Sequence, residues 1–226
     1  MFARIAPRYD LLNGLLSGGT DASWRRTASR LLAPAPGERV LDLCSGTGDL
    51  ALEIRRRSGG RARVTAADFT FEMLALGRRK FAAARAPIPE SAADGLRLPF
   101  PAEVFDAVSA AFGVRNFEDH RAGFREVCRV LKPGGRFVVL EFTPGPTGPL
   151  APLVSAYCRT VLPRLGALVS RDGGAYAYLP ESMGRWPAPE ALAADLSDCG
   201  FSRVSFHRLT FGLAAVHVAT KQKGDR

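Results

Sequence analysis

An α/β fold built on a mostly parallel sheet, mixed at one edge, follows from three features of this 226-residue chain. From Arg39 onward, short apolar runs of β character alternate with longer stretches of helical period, the pattern of successive βαβ units. Gly46 and Gly48 follow the first of these runs and precede a helical stretch, as a tight strand-to-helix turn requires. The last two runs are separated only by Thr210, Phe211 and Gly212, and so short a connection joins only antiparallel strands.

The first thirty or so residues read as helical. Leu11, Leu12, Leu15 and Leu16 share a face that Trp24, Thr27, Ala28 and Leu31 continue, until Pro34 and Pro36 end it. The expected strands are Arg39–Leu43, Arg63–Ala67, Phe105–Ala110, Arg136–Phe142, Val204–Leu209 and Leu213–Ala219, with a short one near Ser91. Helices are expected between them at Asp49–Arg57, Phe71–Arg85, His120–Leu131 and Pro189–Cys199. Residues Pro144 to Ala188 break the rhythm with many Pro and Gly, at a sheet edge where elements that cover a substrate lie. The expected organisation is one domain over 1–226, with a helical cap at 1–33 and a substrate-covering insertion at 144–188.

Hydrophobic residues make up 46% of the chain and Phe occurs 14 times, enough for a substantial core and against a disordered chain. The formal charge of +9 brings an anionic partner into view, nucleic acid or lipid, although the arginines are dispersed and their longest run is Arg55, Arg56 and Arg57. Cys44, Cys128, Cys158 and Cys199 are too scattered for a zinc site and read as reduced core thiols, so no metal is expected. The N-terminus lacks the apolar run of a secretion signal. The most apolar stretch, Leu153 to Val169, carries Arg159, Pro163 and Arg164, so a cytoplasmic protein without a membrane span is expected.

The segment Val40 to Leu50 is a strand, a glycine-containing turn and a helix start. There Gly46 and Gly48 let backbone approach a ligand, and free N–H groups with a positive dipole face it. Gly46-Thr47-Gly48-Asp49-Leu50-Ala51 also satisfies the dinucleotide spacing, so the turn alone does not choose between cofactors. Asp68, ending the next strand, suits ribose hydroxyls in either case, and Asp94-Gly95 suits an adenine amino group. Each of these features also has a purely structural reading, as a tight turn, a helix N-terminal acid or a surface Asp-Gly turn.

Three further segments, in order, carry a specific resemblance. Tyr9-Asp10-Leu11-Leu12-Asn13-Gly14-Leu15-Leu16-Ser17 with Trp24-Arg25-Arg26, then Phe112-Gly113-Val114-Arg115-Asn116-Phe117, then Arg129 to Gly135 continuing to Leu140-Glu141-Phe142-Thr143, closely resemble the UbiE/MenG/COQ5 family of quinone-biosynthesis C-methyltransferases. That resemblance implies the Rossmann-like fold of class I S-adenosylmethionine-dependent methyltransferases, a mostly parallel seven-stranded sheet with an antiparallel edge strand. It implies cofactor contacts at Thr47, Asp68, Asp94 and Gly95, with Gly46 and Gly48 around the methionine moiety, and Asp42 and Ala111 are expected among the cofactor-binding residues. The implied reaction is C-methylation of a prenylated quinol, demethylmenaquinol to menaquinol, with methylation of 2-methoxy-6-polyprenyl-benzoquinol as the alternative. An NAD-dependent dehydrogenase is a remote third reading that leaves the three segments unexplained.

The chemistry needs an ionised or strongly polarised quinol, because only then does negative charge reach the ring carbon. Arg115 and Asn116, after the fourth strand, are expected at the acceptor. Arg115 stabilises the quinolate oxygen, Asn116 orients a hydroxyl or water, and Tyr9, Asp10 or a Tyr of the insertion assists proton removal through water. Their bland reading is a strand-end salt bridge and turn cap. Tyr176 and Tyr178, near Ser182 and Trp186, are expected to line the ring pocket or simply to pack the insertion. His120, His207 and His217 read as surface or core residues.

Departures from the family pattern matter. Cys44 stands at the loop's first glycine position, so no positive φ is expected there; Ala111 and Thr143 replace serines; Asp21 stands where ubiquinone-type members have His and matches the menaquinone branch. The fourth strand ends in Ala110-Ala111-Phe112-Gly113, without the motif that amino-methylating nucleic-acid enzymes set against a flipped base, so no nucleic-acid partner is expected. The leucines of the cap, near Arg4, Arg8, Arg25 and Arg26, either close the cofactor pocket or rest peripherally on the anionic inner face of a membrane. A homodimer is compatible with the sequence, which leaves oligomeric state open.

Overall fold

The computed structural model describes residues 19–147, 151–152, 160 and 183–223. Helix α1 (Thr20–Leu32) ends where Ala33 turns into left-handed backbone ahead of Pro34. The chain then runs through β1 (Arg39–Leu43), α2 (Asp49–Arg57), β2 (Arg63–Asp68), α3 (Phe71–Ala83), β3 (Glu90–Ala92) and β4 (Phe105–Ala111). It continues with α4 (His120–Val130), β5 (Leu131–Phe142), α5 (Pro189–Asp198), β6 (Phe201–Leu209) and β7 (Ala214–Lys221). Asp119 caps α4 by accepting the Ala122 N–H at 2.9 Å, satisfying one of the donors a helix start leaves open.

The seven strands form one sheet in the order β3-β2-β1-β4-β5-β7-β6. Strands β3, β2, β1, β4 and β5 are mutually parallel, whereas β7 is antiparallel to both β5 and β6. The mixed, mostly parallel sheet is as expected; the antiparallel strand sits one place in from the edge, because the hairpin folds β7 back between β5 and β6. Growth of the sheet reverses direction between β1 and β4, and at such a switch point the loops leave a crevice beyond the strand ends.

Alternate strand residues feed two apolar layers. Val40, Val138 and Leu140 pack with Trp24, Ala28 and Leu32 of α1, Leu50 and Ile54 of α2 and Phe81 of α3. Leu41, Leu43, Phe137 and Val139 pack with Phe124 and Val127 of α4 and Leu192 and Leu196 of α5. Several boundaries differ from expectation: α3 ends at Ala83 and not Arg85, β6 begins at Phe201 and not Val204, β7 runs to Lys221, and the largest departure lies between α4 and β5. Helix α4 stops at Val130, and β5 already begins at Leu131, which pairs with Phe105. The next pair is Arg136 with Ala107, so residues Lys132 to Gly135 bulge out of register. Among the described residues no helix is long and apolar enough to cross a membrane.

Candidate active site

Beyond β1 the backbone takes left-handed conformations at Cys44 (φ 55°), Gly46 (φ 55°) and Gly48 (φ 84°), and beyond β4 at Phe112 (φ 58°). The expectation for Cys44 is overturned: the turn does demand a positive φ, and a non-glycine residue bears the steric cost, about 1–2 kcal/mol. Gly113 makes room for it, since a Cβ there would stand 2.2 Å from the Cys44 Cβ. Gly48 serves packing more than ligand approach, because a Cβ there would fall 2.3 Å from the Phe81 ring. The Cys44 thiol is held protonated: burial pushes its pKa well above the usual value, and Asp68, Glu141 and Asp42 add to the effect.

Between these loops lies a small recess that opens to solvent. Arg25, Asp42, Cys44, Gly46, Asp49 and Phe112 contribute to its lining, together with Thr47 and Ala111. Asp42 is its buried acid. Oδ1 accepts from the Ser109 hydroxyl at 2.7 Å, Oδ2 has no partner, and burial raises the carboxyl to about 7 despite the Ser109 bond. A buried carboxylate oxygen left open beside a recess is a place for an incoming donor.

Asp68 ties the β2 end to the loop: Oδ2 accepts the Gly46 N–H and Oδ1 the Thr70 N–H, both at 2.8 Å, while burial raises its pKa. Phe69 and Phe71 beside it are 80% and 63% exposed. Thr47 is buried, and its hydroxyl accepts from Lys80 Nζ at 2.9 Å. Asp94 is exposed and accepts the Leu96 N–H at 2.9 Å, the Asx turn of the bland reading, with Gly95 buried against the Phe117 ring. Asp68, Asp94 and Gly95 lie outside the lining of the recess, along the same strand-end edge.

Arg115 is more committed than expected. Its side chain is 7% exposed, and Nη1 donates to Glu141 Oε1 and to the Phe112 carbonyl, each at 2.7 Å. The salt-bridge reading is therefore correct for Nη1, while Nε is buried without a partner. Glu141 is 2% exposed; burial raises its pKa and Arg115 opposes the rise. Asn116 closes the same turn, its N–H donating to the Gly113 carbonyl at 3.0 Å. Phe112, Phe142 and Trp24 stack beside the pair, with Phe112 and Phe142 centroids 4.8 Å apart and the Arg115 guanidinium 5.4 Å from the Phe142 ring. Trp24 Nε1 donates to Thr210 Oγ1 at 2.8 Å and fastens α1 over this cluster.

Of the residues singled out from sequence, the fold gathers Asp42, Gly46, Thr47, Gly48, Ala111, Arg115 and Asn116 around the switch point, with Asp68 beside them and Asp94 and Gly95 farther along. Tyr9, Asp10, Tyr176, Tyr178 and Ser182 lie outside the described residues. Sequence reasoning missed two participants. Glu141 and Arg25 both stand inside the segments that carry the family resemblance, but neither was given a role in the site.

The profile of the ubiE/COQ5 methyltransferase family matches residues 1–221. The chain is 52% identical over 226 residues to a Thermus thermophilus protein named demethylmenaquinone methyltransferase, covering 100% of each. It is 48% identical over 223 residues to a protein of that name from Deinococcus radiodurans, covering 98% of this chain and 91% of the relative. A Geotalea daltonii protein named ubiquinone/menaquinone biosynthesis C-methyltransferase UbiE is 42% identical over 223 residues, covering 98% and 94%. Among solved structures, an S-adenosylmethionine-dependent methyltransferase from Aquifex aeolicus aligns with TM-score 0.65 at 16% identity over 87% and 88% of the chains. Another from Thermotoga maritima aligns with TM-score 0.70 at 17% identity over 98% of each.

Proposed function

Because this chain belongs to the ubiE/COQ5 methyltransferase family, we propose that it moves a methyl group from S-adenosylmethionine to a ring carbon of demethylmenaquinol, a prenylated quinol, giving menaquinol. The observation that carries the reading is the buried, unpartnered Asp42 Oδ2 beside a recess at the β1/β4 switch point, next to the turn bearing Arg115. Asp42 and Asp49 line this recess, and carboxyl acceptors suit the ammonium of an amino-acid donor better than the pyrophosphate of a dinucleotide, which brings acceptors and no donors. Together with the family match, this sets the dehydrogenase reading aside.

Strand order then gives ligand order. Asp94 and Gly95 after β3 suit the adenine, Asp68 after β2 the ribose, and Asp42, Gly46, Thr47, Gly48 and Ala111 around β1 and β4 the amino-acid end. The exposed Phe69 offers a ring face to the purine. Bound S-adenosylmethionine supplies an electrophilic methyl group on a sulfonium. Glu141 fixes Arg115, and the unmatched Arg115 Nε–H points to a role on the quinolate oxygen, since a guanidinium does not lose its proton at neutral pH. Asn116 orients the hydroxyl or a water that takes its proton, and Tyr9 assists. Tyr176 and Tyr178 are the proposed partners of the quinol ring, and an anionic membrane surface is the proposed source of the prenylated substrate for a single-domain enzyme. Asp21 favours the naphthoquinol acceptor over a methoxybenzoquinol.

The test is product identification by mass spectrometry after incubation with methyl-labelled S-adenosylmethionine and each reduced quinol. Label on the naphthoquinol ring carbon, with oxidised quinones inert, is the expected result. Label on oxygen, or no transfer to either quinol, defeats the reading.

A further inference from the structure

Beyond the donor recess, the turn after β4 holds a second buried polar unit, the Arg115–Glu141 pair, whose two carboxylate oxygens are unequally used. Glu141 Oε1 accepts from Arg115 Nη1 at 2.7 Å and from the Phe142 N–H at 2.9 Å. Oε2 meets the Arg115 backbone N–H at 3.4 Å, beyond the length of a good bond, and is the oxygen free to carry a proton. Burial holds this carboxyl above the usual carboxylate range, with the Arg115 guanidinium opposing the rise. The ionisable groups gathered with the pair around this junction are Cys44, Asp42 and Asp68, none of which brings a further positive charge, and β7 sets the apolar Ala215 opposite Glu141. The pair as a whole is neutral. An acceptor oxygen that ionised against the open Arg115 Nε–H would therefore leave an uncompensated negative charge in a buried site.

We propose that Glu141 takes the proton of the acceptor hydroxyl and keeps it while the oxygen is ionised, so that Arg115 exchanges a carboxylate partner for the ring oxygen with no net change of charge in the site. This rests on the reading of a quinol as acceptor and names the base which that reading leaves open. The guanidinium joins the two groups and gives up no proton itself. Nη1 stays on Oε1, Nε–H donates to the ring oxygen, and the proton crosses to Oε2 through the water that Asn116 orients. The quinol O–H bond breaks and an O–H bond on Glu141 forms. As the S–CH₃ bond breaks, its electron pair stays on sulfur and a C–C bond forms at the ring carbon, leaving a neutral ring ketone. The hydrogen on that carbon then leaves to water as a proton, its bonding pair restores the aromatic ring, and Glu141 returns its proton to the oxygen. A single proton is released for each methyl group transferred, and Glu141 ends as it began.

The probe is 4-nitro-1-naphthol, a naphthol already ionised at neutral pH, titrated into the full chain at saturating S-adenosylhomocysteine. Calorimetry in two buffers of different ionisation enthalpy counts the protons exchanged, and the visible band of the naphtholate reports whether the bound ligand keeps its charge. The wild-type chain should take up about one proton per bound ligand while the naphtholate stays ionised, and its affinity should fall about tenfold for each pH unit above neutrality. Glu141→Gln keeps an acceptor for Arg115 but has no site for the proton, so it should bind with no uptake and with an affinity level across that range. Asp42→Asn and Asp68→Asn, which remove the other carboxyls raised by burial at this junction, should retain the uptake; they carry the test with the wild-type measurement if Glu141→Gln does not fold. Binding of the ionised ligand without proton uptake, uptake that survives Glu141→Gln, or uptake per bound ligand that vanishes in either Asp variant overturns the proposal and leaves the quinol reading standing. Failure of the wild-type chain to bind the naphtholate overturns both.

Discussion

Left-handed backbone at non-glycine residues occurs both at the β6–β7 turn and at the β1/β4 edge, for different reasons. At the turn, Thr210 (φ 44°) and Phe211 (φ 55°) take the conformation that a tight hairpin between right-twisted strands demands, and the Phe211 side chain is left exposed. At the edge, Cys44 and Phe112 end neighbouring parallel strands that no hairpin joins, so turn geometry offers no explanation. There the strain coincides with unpartnered buried polar atoms, Asp42 Oδ2, Ser45 Oγ and Arg115 Nε. Strain alone does not mark a site; strain together with unmet hydrogen-bonding capacity, held in place by a rigid sheet, does.

Four changes sharpen or break that contrast. The largest effect is expected from Glu141→Ala, which leaves the Arg115 charge buried and unpaired. Urea titration should show a loss of about 3–5 kcal/mol, with methyl transfer falling as well. A loss under about 1 kcal/mol would mean the pair is not the clamp of the edge.

Next is pH. Asp42 is raised from 3.8 to about 7 in the fold, so the folded state holds a proton that the unfolded chain releases between those values. Its contribution to stability is full below the lower value and is lost as pH rises through about 7. The stability of the wild-type protein relative to Asp42→Asn should therefore fall by a few kcal/mol between pH 5 and 8 in ligand-free samples. A flat difference would show that Asp42 is not the buried, incompletely paired acid described here.

A smaller loss, about 1–3 kcal/mol, is expected for Gly113→Ala, whose Cβ would collide with Cys44 and disturb the recess, weakening S-adenosylhomocysteine in calorimetric titration. The smallest effect belongs to the turn. Phe211→Gly should stabilise the protein by up to about 1 kcal/mol in thermal unfolding and leave cofactor affinity unchanged. An affinity change there would erase the distinction between the two strained regions.

The fold was legible where local pattern and tertiary context agree. Strand Arg39–Leu43 and helix Asp49–Arg57 have the predicted bounds, because Val40, Leu41 and Leu43 mark the strand, Leu50, Ala51 and Ile54 the helix face, and glycines punctuate the link. Leu131 was assigned to a helix because its apolar character fits either period, and only pairing with Phe105 decides for the strand. The hairpin was evident from Thr210 to Gly212, but nothing local says that β7 rather than β6 lies against β5. In the site, Asp42, Asp68 and the glycines could be read from one segment each. The Glu141–Arg115 pair spans 26 residues and the Ser109–Asp42 bond 67, and neither leaves a mark in the local sequence.

The most direct test is a crystal structure of the chain with S-adenosylhomocysteine. The adenine should lie by Asp94 and Gly95, the ribose hydroxyls at Asp68 and the sulfur at the β1/β4 junction facing the Arg115 turn. Density for the ligand elsewhere, or with its amino-acid end turned toward β3, would contradict the account.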